Sequence, residues 1–161
     1  KTHGNCFSLK LGLEKIKDSV IFFDGDVVYK KDILNNYIRD KNSNSVLIGK
    51  GNEHDIECAK VFGTKKKVKR IIEKRIFHEK SHIFLGEAIG INKLNKVQIN
   101  KFLNIGKKIF KKKSNLNLNW DTFYDKYFLN NSAIKYSKTF SNCWVEIDTI
   151  EDYKRAKKII R

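Results

Sequence analysis

The 161-residue sequence contains no methionine and no proline. Because translation starts at methionine, we expect Lys1 to be an internal position of the translated chain. The three cysteines, Cys6, Cys58 and Cys143, are an odd number at wide spacing, which argues against a disulfide framework and a Cys-x-x-Cys zinc site. We therefore expect all three to be reduced and to pack as small apolar side chains.

Long apolar runs are also missing. No stretch approaches the roughly 20 consecutive apolar residues of a membrane-spanning helix, and the first residues do not resemble a secretory signal. Apolar residues nevertheless make up 40% of the chain, enough to bury one packed domain and too many for a disordered tail. The sequence predicts a soluble, cytoplasmic protein in which residues 1–161 form a single domain, with no membrane contact.

Arginine is scarce although the net charge is +16, from 34 Lys and Arg against 18 Asp and Glu. The arginines are Arg39, Arg70, Arg75, Arg155 and Arg161. Because arginine is the residue that binds guanine and phosphate with two hydrogen bonds, its scarcity favours a solvated lysine surface over a nucleic-acid interface. A basic nucleic-acid-binding module remains an alternative, and its binding would weaken steeply with salt.

The first third of the chain predicts alternating helices and strands. Residues 5–17 predict a helix capped by Asn5. Residues 20–23 are continuously apolar, which is typical of a strand buried on both faces of a parallel sheet. A helix at 31–39 and a strand at 46–49 complete a βαβ unit, which predicts a right-handed crossover.

The remainder adds further strands and helices. Strands are predicted at 57–63, 68–73, 84–91, 133–140 and 144–147, with a hairpin turn at 63–66, and helices at 96–112 and 119–129. A last helix follows Thr149, which together with Asp152 resembles a capping box. The sequence therefore predicts one α/β domain with a mixed sheet flanked by helices.

Two predicted strands end in acidic residues. Asp24 and Asp26 follow the strand at 20–23, and Asp148 follows the strand at 144–147. Chemistry in an open α/β sheet collects outside the carboxyl ends of the strands, and Mg²⁺ prefers a few carboxylate oxygens together with water and substrate phosphates. Asp26 and Asp148 are therefore candidate Mg²⁺ ligands; the alternative is that they are ordinary turn and cap residues.

Five segments, in order, resemble motifs of the nucleotidyltransferases that act on sugar phosphates and phosphocholine. They are Asn-x-aromatic-Ser-Leu at 5–9, an apolar strand ending in Gly-Asp at 22–28, Glu-Lys at 73–74, Gly-Glu-x-Ile-Gly at 86–90, and Trp-x-Glu-Ile-Asp-Thr-x-Glu-Asp at 144–152. The resemblance covers nearly the whole chain and implies a Rossmann-like mixed sheet of the nucleotide-diphospho-sugar transferase type.

One family feature has no counterpart in this sequence. The family opens with a Gly-rich loop, Gly-x-Gly-x-Arg, that holds the nucleotide phosphates, whereas the first glycines here are Gly4 and Gly12. We therefore expect the domain to be incomplete at its N-terminus. The nucleotide-binding part would then lie on another stretch of polypeptide or on a partner chain, and the 161 residues would be inactive without it.

The resemblance implies a role for each matched residue. The reaction transfers a nucleoside monophosphate from a nucleoside triphosphate to a phosphomonoester and releases pyrophosphate. Asp26 and Asp148 would ligate Mg²⁺, Lys74 would contact the acceptor phosphate, and Glu87 would face the organic group of the acceptor. Lys74 could instead be a solvated lysine and Glu87 could pair with a lysine, while Trp144 and Glu146 are expected to support the tail as a buried pair.

The motifs at 86–90 and 144–152 resemble the cytidylyltransferase branch most, with CTP as donor and phosphocholine or a phosphonate as acceptor; a sugar 1-phosphate remains open. A cationic head group would suit Glu87 and aromatic walls. The alternative within the fold is a non-catalytic or degenerate domain, which would bind neither Mg²⁺ nor triphosphate.

Overall fold

The computed structural model describes residues 4–73, 81–140 and 143–160. The α-helices are α1 (Asn5–Leu13), α2 (Lys31–Arg39), α3 (Lys96–Ile109), α4 (Trp120–Phe123) and α5 (Ile150–Ile160). The strands are β1 (Val20–Phe23), β2 (Val27–Tyr29), β3 (Ser45–Gly49), β4 (Lys60–Gly63), β5 (Val68–Ile72), β6 (Ile83–Leu94), β7 (Lys135–Lys138) and β8 (Trp144–Glu146).

The main sheet is built around β6, its longest strand. The order is β5-β4-β6-β3-β7, with β1 also paired to β6. β3 pairs with one edge of β6, and β4 and β1 follow one another along the other edge. Within the described part of this sheet, the pairing between β3 and β7 is parallel and the others are antiparallel. The predicted mixed α/β sheet flanked by helices is confirmed.

The prediction for β1 was wrong in two respects. β1 and β3 run in the same direction but do not pair, because β6 lies between them and is antiparallel to both. β1 is also not buried on both faces: Val20, Ile21 and Phe22 are half-buried and Phe23 is 38% exposed. Among the described residues β1 pairs with β6 alone, so its second edge has no strand partner there.

Helices cover both faces of the main sheet. On one face α1, α3 and the aromatic segment after residue 119 enclose the larger core, in which Phe102 stacks among Phe123, Tyr124 and Phe128. On the other face α2 packs against Leu47, Ile89 and Ile91. These two cores fix the ends of β1 and β6 relative to the helices around them.

One long-range strand pairing was not predicted from the sequence. β2 pairs antiparallel with β8 in a separate two-stranded sheet, which joins positions almost 120 residues apart. The hairpin between β4 and β5 is confirmed, with the Thr64 amide donating to the Lys67 carbonyl. The capping box is confirmed as well: Thr149 Oγ1 accepts from the Asp152 amide and Asp152 Oδ2 accepts from the Thr149 amide.

Several predicted elements are shorter than expected. The predicted helix at 119–129 is divided into α4, a π-helical turn at Tyr124–Phe128 and a 3₁₀ turn at Leu129–Asn131. The predicted strand at 57–63 begins at Lys60 and leaves a loop before it. Asn5 does not cap its own helix, because its Oδ1 accepts a hydrogen bond from the Trp120 amide instead.

All three cysteines are free, and Cys6 and Cys58 are buried, as predicted. Among the described residues no helix has the length and apolar character needed to cross a bilayer.

Candidate active site

The pairing of β2 with β8 brings the two acidic strand ends together. Val27 lies opposite Glu146, and the Ile147 amide donates to the Asp26 carbonyl at 2.9 Å. As a result, one carboxylate oxygen from each of Asp26, Glu146 and Asp148 lies within 4.8 Å of the other two. We call these three side chains the carboxylate cluster.

The geometry of the cluster suits a small hard cation. Mg²⁺ takes oxygen ligands at about 2.1 Å, so two ligand oxygens lie at most about 4.2 Å apart. The cluster oxygens therefore need to close by less than an ångström. Sequence analysis selected Asp26 and Asp148, and the structure places them side by side. Glu146, expected to support the tail, contributes a third carboxylate.

A cavity of about 700 Å³ opens beside the cluster, and we call it the acidic cavity. Seven of its lining residues carry carboxylates, and none of its described lining residues is a lysine or arginine. The seven are Asp24, Asp26, Glu57, Glu73, Asp121, Glu146 and Asp148. In a chain of net charge +16, this cavity concentrates the negative charge.

The deeper carboxyl groups of the acidic cavity are held by neutral donors. Glu73 accepts hydrogen bonds from Asn119 Nδ2 and Thr122 Oγ1, each at 2.6 Å. Burial, reinforced by the nearby Glu73 carboxylate, raises the pKa of Asp121 to about 7. Burial also raises the pKa of Asp24, against the opposing effect of a hydrogen bond from Trp120.

A second cavity of about 510 Å³ adjoins the first, and we call it the Glu87 cavity. Both cavities are lined by Glu57, Glu146 and Asp148, so the carboxylate cluster lies at their boundary. The other lining residues of the Glu87 cavity include Lys50, Asp55, Trp144 and Arg155. Glu87, expected to face the organic group of the acceptor, lines this cavity and does not line the acidic cavity that Asp26 lines.

The surroundings of Glu87 favour the protonated form of its carboxyl group. Burial raises the pKa of Glu87 to about 7, and the carboxylates of Asp55 and Glu146 add to this effect. Lys60 acts in the opposite direction. Lys60 is itself fully buried and lies directly opposite Glu87 in the pairing of β4 with β6.

Lys74, the residue expected to contact the acceptor phosphate, lies outside the described residues. Glu73, immediately before it, lines the acidic cavity. Sequence reasoning missed the contributions of Glu57, Asp121 and Trp120, which also line this cavity. No motif marked them, because the loop before β4 and the start of α4 carry no pattern that indicates their distance from Asp26.

Neither a protein-family model nor a curated protein sequence matches this chain. Its structure does resemble solved structures. An inositol-1-phosphate CTP transferase from T. maritima superposes with a TM-score of 0.71 at 15% identity, over 98% of this chain and 63% of that one. The CTP:phosphocholine cytidylyltransferase from Streptococcus pneumoniae superposes with a TM-score of 0.69 at 19% identity, over 99% and 65%.

A third similar structure is a provisionally assigned glucose-1-phosphate thymidylyltransferase from Bacillus anthracis, with a TM-score of 0.71 at 20% identity. It is matched over 100% of this chain and 62% of its own length. The chain thus spans somewhat less than two thirds of the proteins that it resembles. The resemblance to nucleotidyltransferases seen in the sequence motifs is confirmed in the fold, which is the fold of these enzymes.

Proposed function

We propose that this chain forms the metal- and acceptor-binding part of a nucleotidyltransferase. The reaction moves a nucleoside monophosphate from a nucleoside triphosphate to a phosphomonoester. The observation that carries the proposal is the carboxylate cluster of Asp26, Glu146 and Asp148 at the boundary of two cavities. A cluster in this position can face a triphosphate on one side and an acceptor on the other.

In the proposed reaction a phosphate oxygen of the acceptor forms a bond to the α-phosphorus of the triphosphate. The bond between that phosphorus and the oxygen bridging to the β-phosphorus breaks, and pyrophosphate leaves. Little covalent chemistry falls to the protein. It must align two polyanions and neutralise the charge that develops between them.

Asp26, Glu146 and Asp148 would hold a Mg²⁺ ion, which supplies positive charge to the phosphate oxygens. Lys74 would add a second positive charge at the acceptor phosphate. The remaining carboxylates of the acidic cavity would repel a bare triphosphate. The residues that grip the triphosphate are therefore expected outside the described lining, on an adjoining stretch of polypeptide or on a partner chain.

The Glu87 cavity is the proposed site for the organic group of the acceptor. Asp55 provides negative charge, Glu87 would become ionised when a cation binds beside it, and Trp144 provides an aromatic wall, a combination that suits a cationic head group. Two of the similar structures are described as using CTP. We therefore propose CTP as donor and a phosphomonoester or phosphonate with a cationic head group, such as phosphocholine, as acceptor.

The experiment is a transfer assay followed by ³¹P NMR, on the longest natural polypeptide that contains these residues. CTP, UTP and dTTP are each combined with phosphocholine, an aminoalkylphosphonate, inositol 1-phosphate or glucose 1-phosphate. We expect a pyrophosphate signal and a new phosphoanhydride product with CTP and a cationic acceptor, both abolished by EDTA; the product is a diphosphate with phosphocholine and a mixed phosphonate–phosphate anhydride with the phosphonate. Absence of product from every pair would contradict the proposal, and a sugar 1-phosphate as best acceptor would contradict the assignment of the Glu87 cavity.

A further inference from the structure

A tryptophan outside the carboxylate cluster is hydrogen-bonded to the turn that carries Asp26. Trp120 Nε1 donates to Asp24 Oδ2 at 2.8 Å. The indole is 5% exposed and packs edge-on against Phe22 and Tyr124, with centroid distances of 6.5 and 5.2 Å. Because these contacts fix the ring, the position of its N–H group is set by the aromatic packing and does not change when the Asp24 carboxylate moves.

Asp24 is also fixed from the sheet. Its amide donates to the Gly90 carbonyl at 2.8 Å. Gly90 has φ +72°, and a Cβ atom built on it would lie 2.7 Å from Asp24 Oδ2. A side chain at position 90 would thus be strained in its backbone and would push the carboxylate away from the indole.

Asp24 and Asp26 lie on either side of the junction between the two sheets. β1, which ends just before Asp24, is paired with β6 in the main sheet, while β2, which begins just after Asp26, is paired with β8. The turn at 24–26 therefore sets where Asp26 stands relative to the residues that β8 carries. A turn this short transmits a displacement of its first residue to its last.

We propose that Trp120 and Gly90 are positioning residues for the metal site. They hold Asp24, and Asp24 holds the turn so that Asp26 faces Glu146 and Asp148. This inference rests on the Mg²⁺ site of the proposed function. Removal of a group that orients a metal ligand commonly weakens metal binding by about 10–100-fold.

The test is Mn²⁺ binding to the purified protein, measured by the loss of the free-ion EPR signal. Trp120→Phe keeps an aromatic ring and removes the N–H donor. Tyr124→Phe is the matched control, since the Tyr124 hydroxyl is buried in the same aromatic cluster and has no hydrogen-bond partner among the described residues. We expect Trp120→Phe to weaken Mn²⁺ binding by about 10-fold or more, and Tyr124→Phe to leave it unchanged.

Two substitutions at Asp24 test the same inference without changing the aromatic cluster. Asp24→Asn keeps an oxygen that can accept the indole hydrogen bond, whereas Asp24→Ala keeps none. Positioning predicts that Asp24→Asn retains most of the Mn²⁺ affinity and that Asp24→Ala loses it. In the double variant Trp120→Phe with Asp24→Ala, the two losses should not add, because both remove one interaction.

The outcomes separate the inference from the function on which it rests. If the wild-type protein binds no Mn²⁺, the proposed metal site is wrong and this inference is wrong with it. If the wild type binds Mn²⁺ and Trp120→Phe binds it equally well, the positioning role is overturned and the metal site stands. If Asp24→Asn loses as much affinity as Asp26→Asn, Asp24 is itself a ligand and the positioning role is again overturned.

Discussion

At the scale of single residues, the site depends on carboxyl groups brought together against their mutual repulsion. Asp26 and Asp148 could be predicted, because each follows an apolar strand and acidic residues at such ends meet in α/β sheets. Glu146 could not be predicted as a cluster member. It belongs to a strand whose partner, β2, has three residues and was not recognised in the sequence.

Asp121 makes a testable contribution to the pH dependence of stability. Its pKa is raised from 3.8 to about 7 in the folded chain, so the folded state binds a proton that the unfolded state releases. Stability from this group is complete below about pH 4 and is lost as the pH rises to about 7, by at most about 4 kcal/mol. We predict that the melting temperature of the wild type falls between pH 4 and pH 8, and that Asp121→Asn reduces this fall. If the melting temperatures of the two proteins fall by the same amount across that pH range, the prediction is wrong.

Glu87 is expected to act on the acceptor and not on the triphosphate. If the proposed transfer takes place, Glu87→Gln removes a carboxyl that a bound cationic head group would hold ionised, so we predict a higher KM for the acceptor and an unchanged KM for the triphosphate. Glu151→Gln is the control, because Glu151 is an exposed acidic residue that lines neither cavity. Steady-state kinetics with each substrate varied in turn provides the measurement. An equal loss for both substrates, or for neither, would contradict the assignment.

At the scale of elements, local patterns predicted most helices and strands but not which strands are neighbours. The apolar run of β1 resembles a strand covered on both faces, yet Val20, Ile21 and Phe22 are only half-buried and Phe23 is exposed. Among the described residues β6 alone pairs with β1. The apolar residues of a segment indicate that the segment tends to be buried. They do not indicate which other segment packs against it. Long-range pairings such as that of β2 with β8 leave no local pattern in the sequence.

The capping box of α5 connects an element to the site, since Thr149 follows the cluster residue Asp148. Loss of the Thr149 hydroxyl leaves the Asp152 amide without its acceptor. We predict that Thr149→Ala destabilises the protein by about 1 kcal/mol and also weakens Mn²⁺ binding, whereas Thr149→Ser preserves both. Thermal melting and EPR titration of the two variants test this prediction. Equal behaviour of the alanine and serine variants would contradict it.

At the scale of the whole molecule, charge is separated. A surface rich in lysine surrounds a cavity whose described lining carries seven carboxylates and no lysine or arginine. The motifs in the sequence anticipated the fold and the pair Asp26 and Asp148, but not this distribution of charge, because it depends on which side chains face inward from distant elements. A bound metal ion would neutralise only part of this charge, and a triphosphate needs more positive charge than this lining offers.

We therefore predict that residues 1–161 by themselves bind CTP weakly in the presence of Mg²⁺ and transfer no nucleotide. Calorimetric titration of the folded chain with CTP and Mg²⁺ tests the binding, and ³¹P NMR tests the transfer. The control is the longest natural polypeptide that contains these residues, which should do both. Nucleotide transfer by the 161 residues alone would mean that the residues that bind the triphosphate lie within this chain, and would contradict the prediction.

The most direct test of the central claim is the rate of pyrophosphate release by the longest natural polypeptide that contains these residues, with and without Asp26→Asn. The substitution preserves side-chain volume and the backbone bond from Ile147, and it removes one negative ligand from the cluster. We predict that the folded variant loses turnover by orders of magnitude and that higher Mg²⁺ concentrations restore part of it. A variant that releases pyrophosphate at the wild-type rate would contradict a metal-centred transfer at Asp26, Glu146 and Asp148.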